Sequence, residues 1–168
     1  DPVVGPPEFY SHAPKKVPQN YLKPILQRKR DFQSVEEMID RFRDRRPYSL
    51  FKEEILKDYC THGLKKSGDR LTLACPPEIE ASFYASSATN LEILAYAKNV
   101  ACPVTIVRAK SSEQANGFSF EGSPTWPGLA GVFYNSTDLQ FKELSHFIPM
   151  QAPDLCLQLI DDIIYKSL

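Results

Sequence analysis

One histidine stands in a sequence context that could support proton transfer. The run Leu144–Pro153 reads LSHFIPMQAP and places His146 in a polar loop, after a predicted strand and directly before a predicted helix. An imidazole in such a loop can take and return a proton near neutral pH, provided that a carboxylate holds its other ring nitrogen. The alternative interpretation of His146 is a solvent-facing or helix-capping residue.

The elements around His146 resemble the end of an α/β-hydrolase. In that superfamily a strand, a loop, a second strand, a loop with the catalytic histidine and a helix follow one another. The sequence here is similar to the superfamily pattern G-x-x-H-F-x-x-x-E-x-P at Phe147 and Pro153, with Gln151 at the glutamate position. The resemblance implies that His146 is the general base and acid of a catalytic triad.

The resemblance leaves the carboxylate partner of His146 open. The superfamily usually places its acid just after the first of these strands, where this chain has Ser112 followed by Glu113. Other members take the acid from the end of the preceding strand, in a run often written L-I-D-P, and Asp1-Pro2 resembles that run. Asp1 and Glu113 are therefore the two candidate acids, and the third alternative is that neither residue is the carboxylate partner of His146. We interpret Asp138 as a turn residue.

No nucleophile of the superfamily type is present. The chain contains no G-x-S-x-G motif, and the serine pairs at 86–87 and 111–112 lack the glycines that a sharp nucleophile turn needs. The opening Asp1–Val4 looks like the end of a buried strand, so we expect a processed or truncated start. The resemblance then implies that the serine lies on an N-terminal half, either a separate chain or a missing segment, and that this chain alone is inactive.

The fold class predicted for the chain is α/β, as the C-terminal portion of an α/β-hydrolase fold with a helical lid insertion. This portion comprises the last strands and helices of a mostly parallel sheet. The predicted division is a strand end and linker at 1–17, the helical lid at 18–85, and the C-terminal part of the hydrolase core at 86–168. Within the core, we predict strands at 103–108 and 129–134 and a final helix at 154–166. The lid around 73–81 resembles the lipase/esterase branch of the superfamily.

Two lid helices have recognisable ends. Ser34 and Glu37 are predicted to form a capping box. The Ser34 hydroxyl can accept a hydrogen bond from a backbone N–H early in the helix, and the Glu37 carboxylate can reach back to the backbone N–H of Ser34. Ser49 is predicted to cap the next helix, which Gly63 ends.

Composition excludes several classes of function. The 168 residues are 42% hydrophobic and 24% charged, as in a globular domain. Lys and Arg number 20 against 21 Asp and Glu, so no overall field favours nucleic acid. No apolar stretch approaches the roughly 18 residues needed to span a bilayer. We therefore predict no nucleic-acid partner and no membrane span.

Cysteine spacing bears on cofactors and compartment. The four cysteines lie far apart with no C-x-x-C pair, so no zinc site and no other cofactor is expected. We interpret these cysteines as buried, reduced thiols, which favours the cytoplasm. The C-terminal Lys166-Ser167-Leu168 echoes the peroxisomal signal in the wrong order, which makes the peroxisome the alternative.

The function implied by the resemblance is that of a serine hydrolase whose small-molecule substrate is a carboxylic ester, lipid ester or lactone. One alternative is a non-catalytic, hydrolase-like binding protein, which Ser112 at the usual acid position favours. Another alternative is an epoxide hydrolase or dehalogenase with an aspartate nucleophile in the N-terminal half. A helical nucleic-acid-binding module is disfavoured by the neutral charge balance.

Overall fold

The computed structural model describes residues 1–10, 19–86, 89–111 and 121–166. Over these residues the chain forms seven α-helices and five β-strands. The helices are α1 (Gln19–Leu26), α2 (Val35–Phe42), α3 (Glu53–His62), α4 (Pro77–Ser86), α5 (Ile93–Lys98), α6 (Ile148–Gln151) and α7 (Pro153–Lys166). The strands are β1 (Asp31–Phe32), β2 (Leu64–Ser67), β3 (Arg70–Leu73), β4 (Val104–Arg108) and β5 (Ser136–Gln140).

Residues 19–86, hereafter the helical segment, have their own hydrophobic core. Its buried members come from β1, α2, α3, β2 and the α2–α3 connection, and they are Phe32, Met38, Phe42, Phe51, Leu56, Cys60 and Leu64. The predicted start of α2 is confirmed, because the Glu37 backbone N–H donates to Ser34 Oγ at 3.2 Å. The carboxylate of Glu37 reaches back to the N–H of Gln33, one residue before the expected partner.

The predicted start of α3 is wrong. Ser49 lies in a 3-10 turn, Tyr48–Leu50, and α3 begins only at Glu53, after Lys52. Phe51 has an extended backbone between the two, and its ring is buried in the core of the helical segment. The predicted end of α3 at Gly63 is confirmed.

The helical segment also contains a small antiparallel sheet. Strands β2 and β3 form a hairpin whose turn contains Gly68 at φ +60°, a conformation that favours glycine. β3 also pairs with the two-residue β1, which gives the order β1-β3-β2. β2 was missed because its exposed Lys65-Lys66-Ser67 gives it no apolar run.

A parallel pair of strands follows the helical segment. β4 pairs with β5 in a register that runs from Val104 opposite Ser136 to Arg108 opposite Gln140. The prediction of a strand at 103–108 is confirmed by β4. The prediction of a strand at 129–134 is wrong, since Leu129–Val132 is a 3-10 turn that buries Leu129, and the strand comes later, at Ser136–Gln140.

An ion pair between a buried arginine and a more exposed aspartate links β4 and β5. Arg108 is buried, and its Nε and Nη2 donate to the two carboxylate oxygens of Asp138 at 2.8 and 2.6 Å. Asp138 is therefore a strand residue that links β5 to β4, and its interpretation as a turn residue is wrong. A paired, bidentate contact of this kind satisfies a buried guanidinium that would otherwise be costly.

The last helix exposes much of its apolar face. The structure confirms a helix over the predicted range, as α7. Leu155 and Leu159 are half-buried, but Ile160 is 53% exposed and Leu157 is 61% exposed. Ile163 is 47% exposed as well, so this apolar face is only partly covered by the described residues.

The cysteines differ in burial. All four are free thiols, and only Cys60 is buried, which raises the pKa of its thiol to about 11. Cys75 and Cys102 are exposed, so the expectation that all four are buried is wrong.

Candidate active site

The structure brings Asp1 and His146 together, although 145 positions separate them in the chain. Nδ1 of His146 lies 3.3 Å from Oδ2 of Asp1. The Asp1 side chain has no exposed surface, and the His146 side chain is 15% exposed. An ionised carboxylate can only accept a hydrogen bond, so this contact favours the tautomer with the proton on Nδ1. Nε2 is then the basic nitrogen of the ring.

Two hydroxyl groups hold the other oxygen of the Asp1 carboxylate. Ser123 Oγ and Thr125 Oγ1 both donate to Asp1 Oδ1, each at 2.7 Å. Thr125 Oγ1 also contacts the carbonyl oxygen of Pro2, and the Trp126 N–H donates to the carbonyl oxygen of Val4 at 2.8 Å. The loop around 123–126 therefore fixes both the carboxylate and the backbone that follows it.

Ser123 and Thr125 are not recognisable as functional residues from the sequence. Hydroxyl residues in a loop that also contains Gly122, Pro124 and Pro127 look like ordinary turn residues. Only the fold shows that the two hydroxyls meet a carboxylate more than 120 positions away.

The His146 loop is held by a side chain from the next helix. The backbone N–H and the Oγ of Ser145 both lie 3.0 Å from Gln151 Oε1. Gln151 belongs to α6, whose first turn is also bonded to Phe147. Gln151 thus holds the loop immediately before His146 by hydrogen bonds to Ser145.

The surroundings of His146 favour its neutral form. Burial lowers the pKa of His146 from its ordinary value of 6.5. A neutral imidazole at pH 7 is the form that can accept a proton as a general base.

The remaining candidates do not join this pair in the part of the chain that the structure describes. Glu113, the second candidate acid, and Ser112 lie outside the described residues. Ser111 accepts from Gln140 Nε2 at 2.9 Å and so belongs to the strand ends. Ser86 lies at the end of α4, with its hydroxyl donating to the carbonyl oxygen of Phe83.

An apolar cavity of about 370 Å³ lies beside Asp1. Its walls are formed by the backbone and side chains of β4, by α5 and by the start of the chain, with Leu129 and Phe133 closing it. Most of the lining is aliphatic: Pro2, Val4, Ile93, Leu94, Ala97, Val104, Ile106 and Val107 belong to it. The cavity therefore runs along β4 rather than around His146.

Comparison with solved structures finds a related fold. The chain is similar to the peroxisomal α/β-hydrolase Lpx1 of Saccharomyces cerevisiae, with a TM-score of 0.63 and 15% sequence identity. The fold is that of part of an α/β-hydrolase. The similarity covers 90% of this chain and 40% of Lpx1, so the chain spans less than half the length of that protein. No protein-family model matches the sequence, and no curated protein matches it.

Among the described residues, no group of three or more His, Cys, Asp and Glu side chains could hold a metal ion. Over the same part of the chain, no helix has both the length and the apolar character needed to cross a membrane.

Proposed function

We propose that this chain is the C-terminal, histidine-bearing part of a serine hydrolase that cleaves a carboxylic ester, a lipid ester or a lactone. The observation that carries the proposal is the contact of His146 Nδ1 with a carboxylate that is wholly buried and held by two hydroxyls. A carboxylate held in this way keeps the proton on Nδ1 and leaves Nε2 as the basic nitrogen, as the histidine of a triad requires. This arrangement also argues against the non-catalytic alternative, because Asp1 supplies the acid that Ser112 does not.

The two side chains divide the proton chemistry between them. His146 Nε2 takes the proton from the attacking serine hydroxyl and later returns it to the leaving alkoxide. Asp1 keeps the proton on Nδ1 and stabilises the imidazolium that forms in between, without itself becoming protonated. Burial of both groups strengthens this interaction, since less water surrounds the charges.

The nucleophilic serine and the oxyanion hole come, in this proposal, from an N-terminal half of the same fold. Three observations support it: the parallel sheet has only two strands among the described residues, an apolar cavity follows β4, and α7 exposes apolar side chains. A parallel sheet is normally buried on both faces, so these surfaces fit a covering half. The 40% coverage of Lpx1 agrees with a chain that is one part of a longer hydrolase.

The helical segment serves as the lid in this proposal. It lies in the sequence between Asp1 and β4, and its α2–α3 connection contacts the His146 loop. We keep the division into 1–17, 18–85 and 86–168 as the proposed domain organisation. The proposed compartment is the cytoplasm, with the peroxisome of the similar Lpx1 as the alternative; Ser167 and Leu168 lie outside the described residues.

The proposal is tested by comparing this chain with a longer polypeptide that carries it together with the preceding half. Each is treated with a fluorophosphonate probe, and the intact masses and the turnover of a p-nitrophenyl ester are measured. We expect one adduct and turnover in the longer polypeptide and neither in the 168-residue chain. Turnover by the pure 168-residue chain, or a longer polypeptide with no adduct and no turnover, would contradict the proposal.

A further inference from the structure

The connection between α2 and α3 contacts the loop that carries His146. The Phe51 ring centroid lies 5.4 Å from that of Phe147, the residue after His146. The Lys52 backbone N–H donates to the Met150 carbonyl oxygen at 3.1 Å, and the Lys52 ammonium pairs with the Asp154 carboxylate. Phe147 and Met150 also pack against the buried core of the helical segment. The loop is therefore anchored in that core.

The same connection contacts the loop that holds Asp1. Arg46 Nη1 donates to both carboxylate oxygens of Glu121, at 2.9 and 2.8 Å. Glu121 is two residues before Ser123, whose hydroxyl donates to Asp1 Oδ1. Lys110, at the end of β4, also lies 3.5 Å from Glu121.

We propose that residues 46–52, which we call the bracket, position the Asp1–His146 pair by fixing the distance between the two loops. Phe51 is the main positioning residue on the histidine side, and Arg46 acts on the aspartate side. The consequence for turnover rests on the proposed function, whereas the consequence for the geometry can be measured on this chain. The packing of the helical segment against the two loops and the formation of the Asp1–His146 contact are thereby coupled.

The length of the central contact makes the pair sensitive to the bracket. An N–H···O hydrogen bond usually measures about 2.7–3.2 Å between the heavy atoms, and the 3.3 Å between Nδ1 and Oδ2 lies just beyond that range. A further displacement of a few tenths of an ångström would lose most of the bond. Phe51 is buried and closely surrounded, so a smaller side chain there releases Phe147.

The experiment uses nitrogen-15 NMR of the imidazole rings at a pH above the pKa of His146. The chain has three histidines, at 12, 62 and 146, so their signals can be assigned by single substitutions. The variants are Phe51→Leu and Arg46→Gln, with Arg43→Gln as the control. Arg43 pairs at 3.9 Å with Glu53, and that contact stays within the helical segment.

The expected result is a shift of His146 from the Nδ1–H tautomer toward the Nε2–H tautomer. The Nδ1 proton should exchange about tenfold faster in Phe51→Leu, the size of one lost charge-assisted hydrogen bond. It should exchange about twofold to fivefold faster in Arg46→Gln, because an exposed ion pair contributes less. Arg43→Gln should match the parent. In the longer polypeptide, Phe51→Leu should lower kcat with little change in KM.

Unchanged tautomer and exchange at His146 in both folded variants would overturn the proposal. If Phe51→Leu unfolds the helical segment, His146 must behave as an exposed histidine, and a retained, protected Nδ1 proton would overturn the proposal equally. Altered exchange together with no ester turnover in the parent longer polypeptide would reject the proposed function and leave the bracket supported.

Discussion

Replacing Thr125 by valine isolates the hydroxyl that holds the Asp1 carboxylate. Valine keeps the shape of the side chain, and Thr125 is only 4% exposed, so the main change is the loss of the hydroxyl contacts with Asp1 Oδ1, at 2.7 Å, and with the Pro2 carbonyl oxygen. A hydrogen bond to a charged group contributes about 1.5–3 kcal/mol, and Ser123 still donates to the same oxygen. We therefore expect Thr125→Val to lower the free energy of unfolding by about 2 kcal/mol.

Urea unfolding followed by circular dichroism measures this effect. With a slope of about 2 kcal/mol per molar urea, the midpoint should fall by about 1 M. The matched control is Thr61→Val, since the exposed Thr61 hydroxyl bonds only its own helix at the Lys57 carbonyl, and its cost should stay within about 0.5 kcal/mol. In an Asp1→Ala background, the loss of unfolding free energy caused by Thr125→Val should be smaller by at least about 1 kcal/mol than in the parent. Equal losses of stability for the two threonine variants, or the same loss in both backgrounds, would show that the Thr125 hydroxyl does not stabilise the protein through Asp1.

Three further predictions concern the histidine and its loop. Asp1→Asn should lower the pKa of His146 further, because the lost carboxylate no longer stabilises the imidazolium; an NMR titration that gives an unchanged or higher pKa would count against the pair. Since the folded-state pKa of His146 is below its ordinary 6.5, the stability contributed by the neutral ring is complete above pH 6.5 and declines as the pH falls below it. Urea unfolding between about pH 5 and 8, with His146→Gln as reference, should show that decline only in the parent. Gln151→Ala should lower the free energy of unfolding by about 1–3 kcal/mol. Gln151→Glu should be neutral or stabilising at pH 7, because the backbone N–H and the hydroxyl of Ser145 both donate to Oε1. Similar losses in the two Gln151 variants would show that the amide group itself is needed.

The sequence predicts those features that depend on local pattern. The capping box at Ser34, the helix end at Gly63, strand β4 and helix α7 all follow from residue type and spacing. The His146 loop was predicted to lie between a strand at 129–134 and a helix at 154–166; the helix is confirmed, but the strand lies at Ser136–Gln140.

Other features depend on partners distant in the chain. In β5, Asp138 pairs with Arg108, and the polar residues of this strand do not show the apolar pattern by which a strand is predicted. The apolar run at 129–134, which does show it, begins with a 3-10 turn. The hydroxyls of Ser123 and Thr125 acquire their role only when the fold brings Asp1 beside them. The extended backbone at Phe51 follows from burial in a core that the local sequence does not show.

The central claim is that His146 is the base of a hydrolase. The most direct test measures kcat/KM for a p-nitrophenyl ester with the longer polypeptide, as the parent, as His146→Ala and as His62→Ala. His62 is the matched control, because it is an exposed histidine at the end of α3. We predict a loss of at least about a thousandfold for His146→Ala and no more than about twofold for His62→Ala. A His146→Ala variant that keeps its activity within about tenfold of the parent would contradict the claim.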